Sequence, residues 1–103
     1  MRFRARVDRN QKELVRVIRD MGASVESLAP MGNGIPDLLV GLGDKIILIE
    51  VKSEKGKLNQ AQINWRDKWR GPEPYVIRSV DDAVMLINHL RMHEGLPVFM
   101  RIH

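Results

Sequence analysis

Three charges stand inside or at the edge of apolar runs in the stretch GIPDLLVGLGDKIILIEVK: Asp37, Glu50 and Lys52. Burying a carboxylate costs several kcal/mol unless a partner offsets it, so either these charges satisfy one another or they hold a cation. Read as two strands of a hairpin, the runs place Asp37, near the start of the first, beside Glu50, near the end of the second. Glu50 and Lys52 are two apart on an extended chain and point to the same face. Two carboxylates converging on one small volume repel unless a proton or cation intervenes. A hard divalent ion such as Mg²⁺ suits them, held by one or two carboxylates and otherwise by water and substrate phosphate. Such an ion polarises a phosphodiester and lowers the pKa of a bound water, while a lysine beside it orients that water or stabilises charge in the transition state. As a bare spacing, the pattern fits a structural salt bridge at least as well.

Elements that would position these residues can be read from the pattern. DRNQKELVRVIRDMG, with Asp8 as N-cap, Gln11 three residues on and Gly22 as stop, predicts an amphipathic helix whose Leu14, Val17, Ile18 and Met21 face the core. ASVESLAP predicts a short strand ending at Pro30, and MGNG a loop that turns tightly before the charged stretch. Ile35 to Val40 and Lys45 to Val51 predict strands joined through GLGD, with so little alternation that the sheet is expected to be covered on both faces. Asn59 and Gln62 repeat the capping-box spacing at the start of a second helix, on which Trp65 and Trp69 read as core or interface. YVIRS predicts another strand. Ser79 with Asp82 caps a third helix carrying Ala83, Leu86, Ile87 and Leu90 at helical spacing, and the tail LPVFMRIH reads as an edge strand, a dimer contact or a loose end. The order implies an α/β fold, a mixed central sheet flanked by helices.

The 103 residues suffice for a single domain, 1–103, and contain no cysteine, which excludes disulfides and thiolate metal sites. No apolar run approaches the ~20 residues of a membrane span, and the first ten residues lack a signal-peptide core, so no membrane association and a cytoplasmic location are expected. Lysine and arginine outnumber aspartate and glutamate by 17 to 13, a net charge of +4. Arg2, Arg4, Arg6, Arg9, Lys12, Arg16 and Arg19 crowd the first fifth of the chain, which suits phosphates or simply a solvated basic face.

GIPDLLVG followed by IILIEVKSEKGKLNQAQINW resembles the Pro-Asp, then Asp/Glu-x-Lys signature of the PD-(D/E)xK nuclease superfamily, and specifically its VRR-NUC branch of small stand-alone phage-type proteins. The resemblance extends from the first helix to YVIRSVDDAVMLI. It implies a restriction-endonuclease-like fold and a Mg²⁺- or Mn²⁺-dependent DNA endonuclease, structure-selective in the manner of a Holliday-junction resolvase. Asp37 and Glu50 would bind the metal with the Val51 carbonyl, Lys52 would act on the nucleophilic water, and Gln62 would lie by the site. Related junction-cleaving enzymes carry an acidic residue on the first helix; the matching position here is Gln11, a neutral amide and so an auxiliary ligand at most. Arg4, Arg6, Arg9, Lys55 and Lys57 are expected to hold the DNA backbone, branched DNA being the preferred substrate. A two-fold homodimer would suit paired incisions at a junction, and the resemblance points to a phage or prophage in a bacterial host cell. The alternative is a non-catalytic DNA-binding or assembly module that keeps the nuclease fold. Glu13 is expected to face away from Gln11, and His89 and His93, four apart on a helix, are a weak zinc candidate.

Overall fold

The computed structural model describes the backbone of residues 2–98 and the side chains of residues 10–98. Its elements are α1 (Arg2–Asp20), β1 (Ser24–Ser27), a 3₁₀ turn (Ala29–Met31), β2 (Leu38–Leu42), β3 (Lys45–Val51), α2 (Gln60–Lys68), β4 (Tyr75–Ile77) and α3 (Val80–His93). The sheet has the order β1-β2-β3-β4. β1 pairs antiparallel with β2 and β2 with β3, whereas β4, reached through α2, pairs parallel with β3. This is the mixed α/β sheet that the sequence predicts.

The β2–β3 hairpin has a two-residue turn, because Leu42 pairs with Lys45. Gly43 takes φ 62 in it, the left-handed value that the first position of a type II′ turn requires and that glycine adopts at no steric cost. The resulting register sorts the strand residues into two faces. Val25, Leu38, Val40, Leu42, Ile49, Val51 and Ile77 share one face and are all buried. Against them pack Leu14, Ile18 and Met21 of α1 and Ala83, Ile87 and Leu90 of α3, which form a single core. Each of these helices presents its apolar stripe, as its spacing requires.

Four features differ from the sequence-based expectation. First, α1 begins at Arg2 and runs through Asp8, so Asp8 is not its N-cap. Arg2–Val7 contains no glycine or proline, and its arginines and alanine favour helix, so nothing in the composition stops the helix from extending toward the N-terminus. Second, β1 ends at Ser27 and Pro30 lies within the 3₁₀ turn. β2 is shifted too, running Leu38–Leu42 rather than from Ile35 to Val40. Third, the sheet is fully covered on one face and only partly on the other. Its other face carries Leu39, Leu48 and Val76, with Ile46 73% exposed, and meets α2 at the Glu50 end. A continuous apolar run does not say which of its two faces is covered. Fourth, of the two places expected for Trp65 and Trp69, core or interface, the core is not the one they take. They stack on each other with centroids 4.8 Å apart, and Trp69 is 42% exposed.

β4 pairs only with Ile49–Val51, so among the described residues Lys45–Leu48 have no strand neighbour on that side. Pro72 and Pro74, just before β4, have no N–H to extend the ladder. A groove of about 580 Å³ follows this open edge, lined by Leu39, Ile46, Leu48, Trp69 and Tyr75 among others. An exposed apolar edge is an association liability. Ile46→Lys should therefore reduce concentration-dependent light scattering, while the melting temperature moves little because a side chain so exposed contributes within about 0.5 kcal/mol. A large drop in melting temperature would show instead that Ile46 packs in the folded monomer.

Candidate active site

Asp37 immediately precedes β2. The register Leu38↔Ile49, continued by one residue, sets Asp37 opposite Glu50. Asp37 Oδ2 accepts the Val51 N–H at 2.8 Å, which ties the residue before one strand to the end of the next. Val51 turns its own side chain into the core. Glu50, on the opposite face, is 2% exposed and is the only charged residue among those fully buried in the described structure. Lys52 lies two residues on, half-buried, and its N–H donates to the Ile77 carbonyl at 3.0 Å, fixing the backbone just beyond β3.

Gln62 joins α2 to this pair. Asn59 Oδ1 accepts the Gln62 N–H at 2.9 Å, and Gln62 Oε1 accepts the Asn59 N–H at 2.9 Å, completing the capping box. The remaining Nε2 of the same amide donates to Glu50 Oε2 at 3.2 Å. An amide alone can accept through oxygen and donate through nitrogen at once; an ionised glutamate would cap the helix but repel Glu50. Gly34 makes the approach possible. Its φ is 80, and a Cβ there would lie 2.1 Å from the Ala61 carbonyl oxygen and 2.9 Å from the Gln62 nitrogen. The glycine-rich loop thus lets the chain pass against the first turn of α2 before Asp37.

Burial, followed by the hydrogen bond and charge of the neighbouring Asp37, raises the Glu50 pKa to about 9. Lys52 and Arg66 act in the opposite direction and are outweighed. Arg66 Nη1 donates to the Pro74 carbonyl at 3.1 Å, and its Nη2 is buried without a hydrogen-bond partner. Without a cation, then, Glu50 holds its proton at neutral pH. The chemistry of the two carboxylates fits a hard divalent ion, which would take the place of the proton and remove the repulsion. Among the described residues no group of three or more His, Cys, Asp or Glu side chains comes together, so Asp37 and Glu50 would be the acidic donors to such an ion.

A cavity of about 690 Å³ opens over the pair, lined by Asp37, Glu50, Val51, Lys52 and Gln62 together with Asn10, Ser53, Glu54, Gly56, Lys57 and Arg78. Asp37, Glu50, Val51, Lys52, Gln62 and Lys57 are therefore brought together. Gln11 does not line the cavity; its neighbour Asn10 does, so the amide that α1 turns toward the site is one position earlier. Lys55 is on the same loop but off the cavity wall. The side chains of Arg4, Arg6 and Arg9 lie outside the described residues. His89 and His93 pack edge to face at 4.5 Å on α3, lining the β3-edge groove and not this cavity. Asn10 and Arg78 escaped the sequence reading; the one signal for Arg78 was a charge at the end of the short strand YVIRS.

Comparison with known proteins identifies the fold. A solved structure of a VRR_NUC domain matches with a TM-score of 0.66 at 32% sequence identity, over 81% of this chain and 95% of that one. The chain belongs to the VRR-NUC family. No protein-family model and no curated protein matches it. The VRR-NUC resemblance read from Pro36-Asp37 and Glu50-Val51-Lys52 is thereby borne out, as is the restriction-endonuclease-like α/β fold.

Two expected outcomes test this VRR-NUC site. Because the folded-state pKa of Glu50 lies above its ordinary value of 4.5, the native state binds more protons than the unfolded state between about pH 5 and 9, and stability falls as pH rises through that window. Glu50→Gln should flatten the fall and raise the melting temperature in EDTA at pH 8; parallel pH profiles for variant and wild type would refute the shift. Gly34→Ala should destabilise the fold by about 2–4 kcal/mol in urea denaturation, through the positive φ and the clash with α2. A loss below ~1 kcal/mol would mean that α2 moves freely aside.

Proposed function

We propose that this VRR-NUC chain is a divalent-metal-dependent DNA endonuclease. The observation that carries the reading is the convergence of Asp37, Glu50 and Lys52 on one cavity, with Gln62 bonded to Glu50. Asp37 and Glu50, with the Val51 carbonyl, would hold Mg²⁺ or Mn²⁺. When bound, the ion would supply Lewis acidity toward the scissile phosphate and a water of lowered pKa. Lys52 positions that water and stabilises the added charge of the transition state. Gln62 keeps the Glu50 carboxylate turned toward the cavity. Lys57 at the rim, with Lys55 beside it and the basic segment Arg4, Arg6 and Arg9 at the start of α1, holds the phosphate backbone; such contacts carry no base information, which favours recognition by shape. Branched DNA cut by a homodimer is the substrate class we infer from the resemblance, together with a phage origin. Among the described residues no helix is long and apolar enough to cross a membrane.

The test is cleavage of matched four-way-junction, flap, single-stranded and linear duplex DNA in Mg²⁺, Mn²⁺ or EDTA. Cutting should require metal, and Lys52→Ala should lower kcat by about 10²-fold or more with DNA binding retained. Symmetric nicks confined to the junction are expected from a resolving dimer. Binding that survives EDTA without cutting of any substrate would sink the enzyme reading and leave a non-catalytic module.

A further inference from the structure

The loop after Lys52 is held in one shape by a residue from another part of the fold. Ser53 to Gly56 form a turn closed by the Gly56 N–H donating to the Ser53 carbonyl at 3.1 Å. Arg78, one residue past β4, gathers the outward carbonyls of that turn: its Nη1 donates to Ser53 at 2.8 Å, Gly56 at 2.5 Å and, at longer range, Glu54 at 3.4 Å. Arg78 is itself fixed, because its N–H donates to Asp82 Oδ2 at 2.8 Å, and the Asp82 N–H donates to the Ser79 Oγ that caps α3 at 3.1 Å. A guanidinium has five N–H donors, and those on Nε and Nη2 have no partner among the described residues. Arg78 lines the same cavity as Asp37 and Glu50, as do Lys57 and Ser53. The cavity lining therefore adds to Asp37, Glu50 and Lys52 a second set of groups, the Arg78 and Lys57 cations and the Ser53 hydroxyl, with Glu54 as the one carboxylate beside them in the chain.

We propose that Arg78, Lys57 and Ser53 form a second phosphate subsite, which takes a backbone phosphate of the bound strand adjacent to the one held at the carboxylates. This rests on the nuclease reading for its substrate class. An arginine that uses one nitrogen for the protein and keeps its others for the ligand makes a preorganised anion contact, since no side-chain ordering remains to be done on binding. The subsite would set which phosphate of a strand comes to rest over Asp37 and Glu50, by fixing the position of its neighbour.

The experiment uses the full chain and DNA strands in which each phosphate in turn is replaced by a neutral methylphosphonate, with binding measured in Ca²⁺ and cleavage in Mg²⁺. In the wild type, one replacement next to the cut should weaken binding about tenfold, as expected for loss of a charge-assisted contact. Arg78→Ala should weaken binding of unmodified DNA, reduce the slope of log K against log salt by about one, and show a smaller loss at that replacement than the wild type. Lys57→Ala, which leaves the bonds from Arg78 to the turn intact, should likewise lose less at that replacement than the wild type does. Amide exchange at Gly56 should accelerate in Arg78→Ala and not in Lys57→Ala. A replacement that costs both variants as much as the wild type, or no sensitive position at all, would overturn the subsite. Wild-type protein that shows the binding pattern but never cuts would overturn the nuclease reading and leave the subsite standing.

Discussion

A buried carboxylate facing a second carboxylate is the constraint around which this fold is arranged. Glu50 is almost fully withdrawn from solvent at the end of a core strand, and Asp37 stands opposite it by the register of the hairpin. Neither position is favourable by itself. The surrounding structure supports both: a main-chain N–H for Asp37, a side-chain amide for Glu50, and two cations, Lys52 and Arg66, close enough to act on Glu50 electrostatically. The core on the other face of the sheet supplies the stability against which this local cost is set, so the two faces divide the work between folding and chemistry.

The division is visible in the strands themselves. On β3, Ile47, Ile49 and Val51 point to α1 and α3, while Leu48, Glu50 and the following Lys52 alternate with them. Nothing but the alternation of an extended chain is needed to separate packing from site. α2 belongs with the site: it is anchored at its first turn, through the Asn59–Gln62 cap and the close passage of Gly34, and buries no residue of its own. Its placement depends on a hydrogen-bonded corner more than on apolar area.

Much of this was legible in the sequence because it is local. The hairpin turn, the alternation and the capping box act over a few residues, so the meeting of Asp37, Glu50 and Lys52 and the start of α2 followed from spacing alone. What was not legible depends on how distant elements are set against one another. Whether Asn10 or Gln11 turns to the cavity depends on the rotation of α1 about its axis, and the apolar stripe fixes that only to within a residue. Arg78 acts on carbonyls more than twenty residues earlier in the chain. The partly open face of the sheet was misread because Ile46 is as apolar as residues that are covered, and apolar character does not report a neighbour. The helix start at Arg2 was missed because Asp8 offered a plausible cap that the chain does not use.

The proton held by Glu50 has a consequence for how the site would load. An ion that engages both carboxylates must expel that proton, so over the range in which Glu50 is protonated, up to about pH 9, capture is an exchange of one cation for another. Apparent metal affinity would then climb by about tenfold for each unit of pH, without any change in the ligands. The site would respond to acidity as well as to ion concentration.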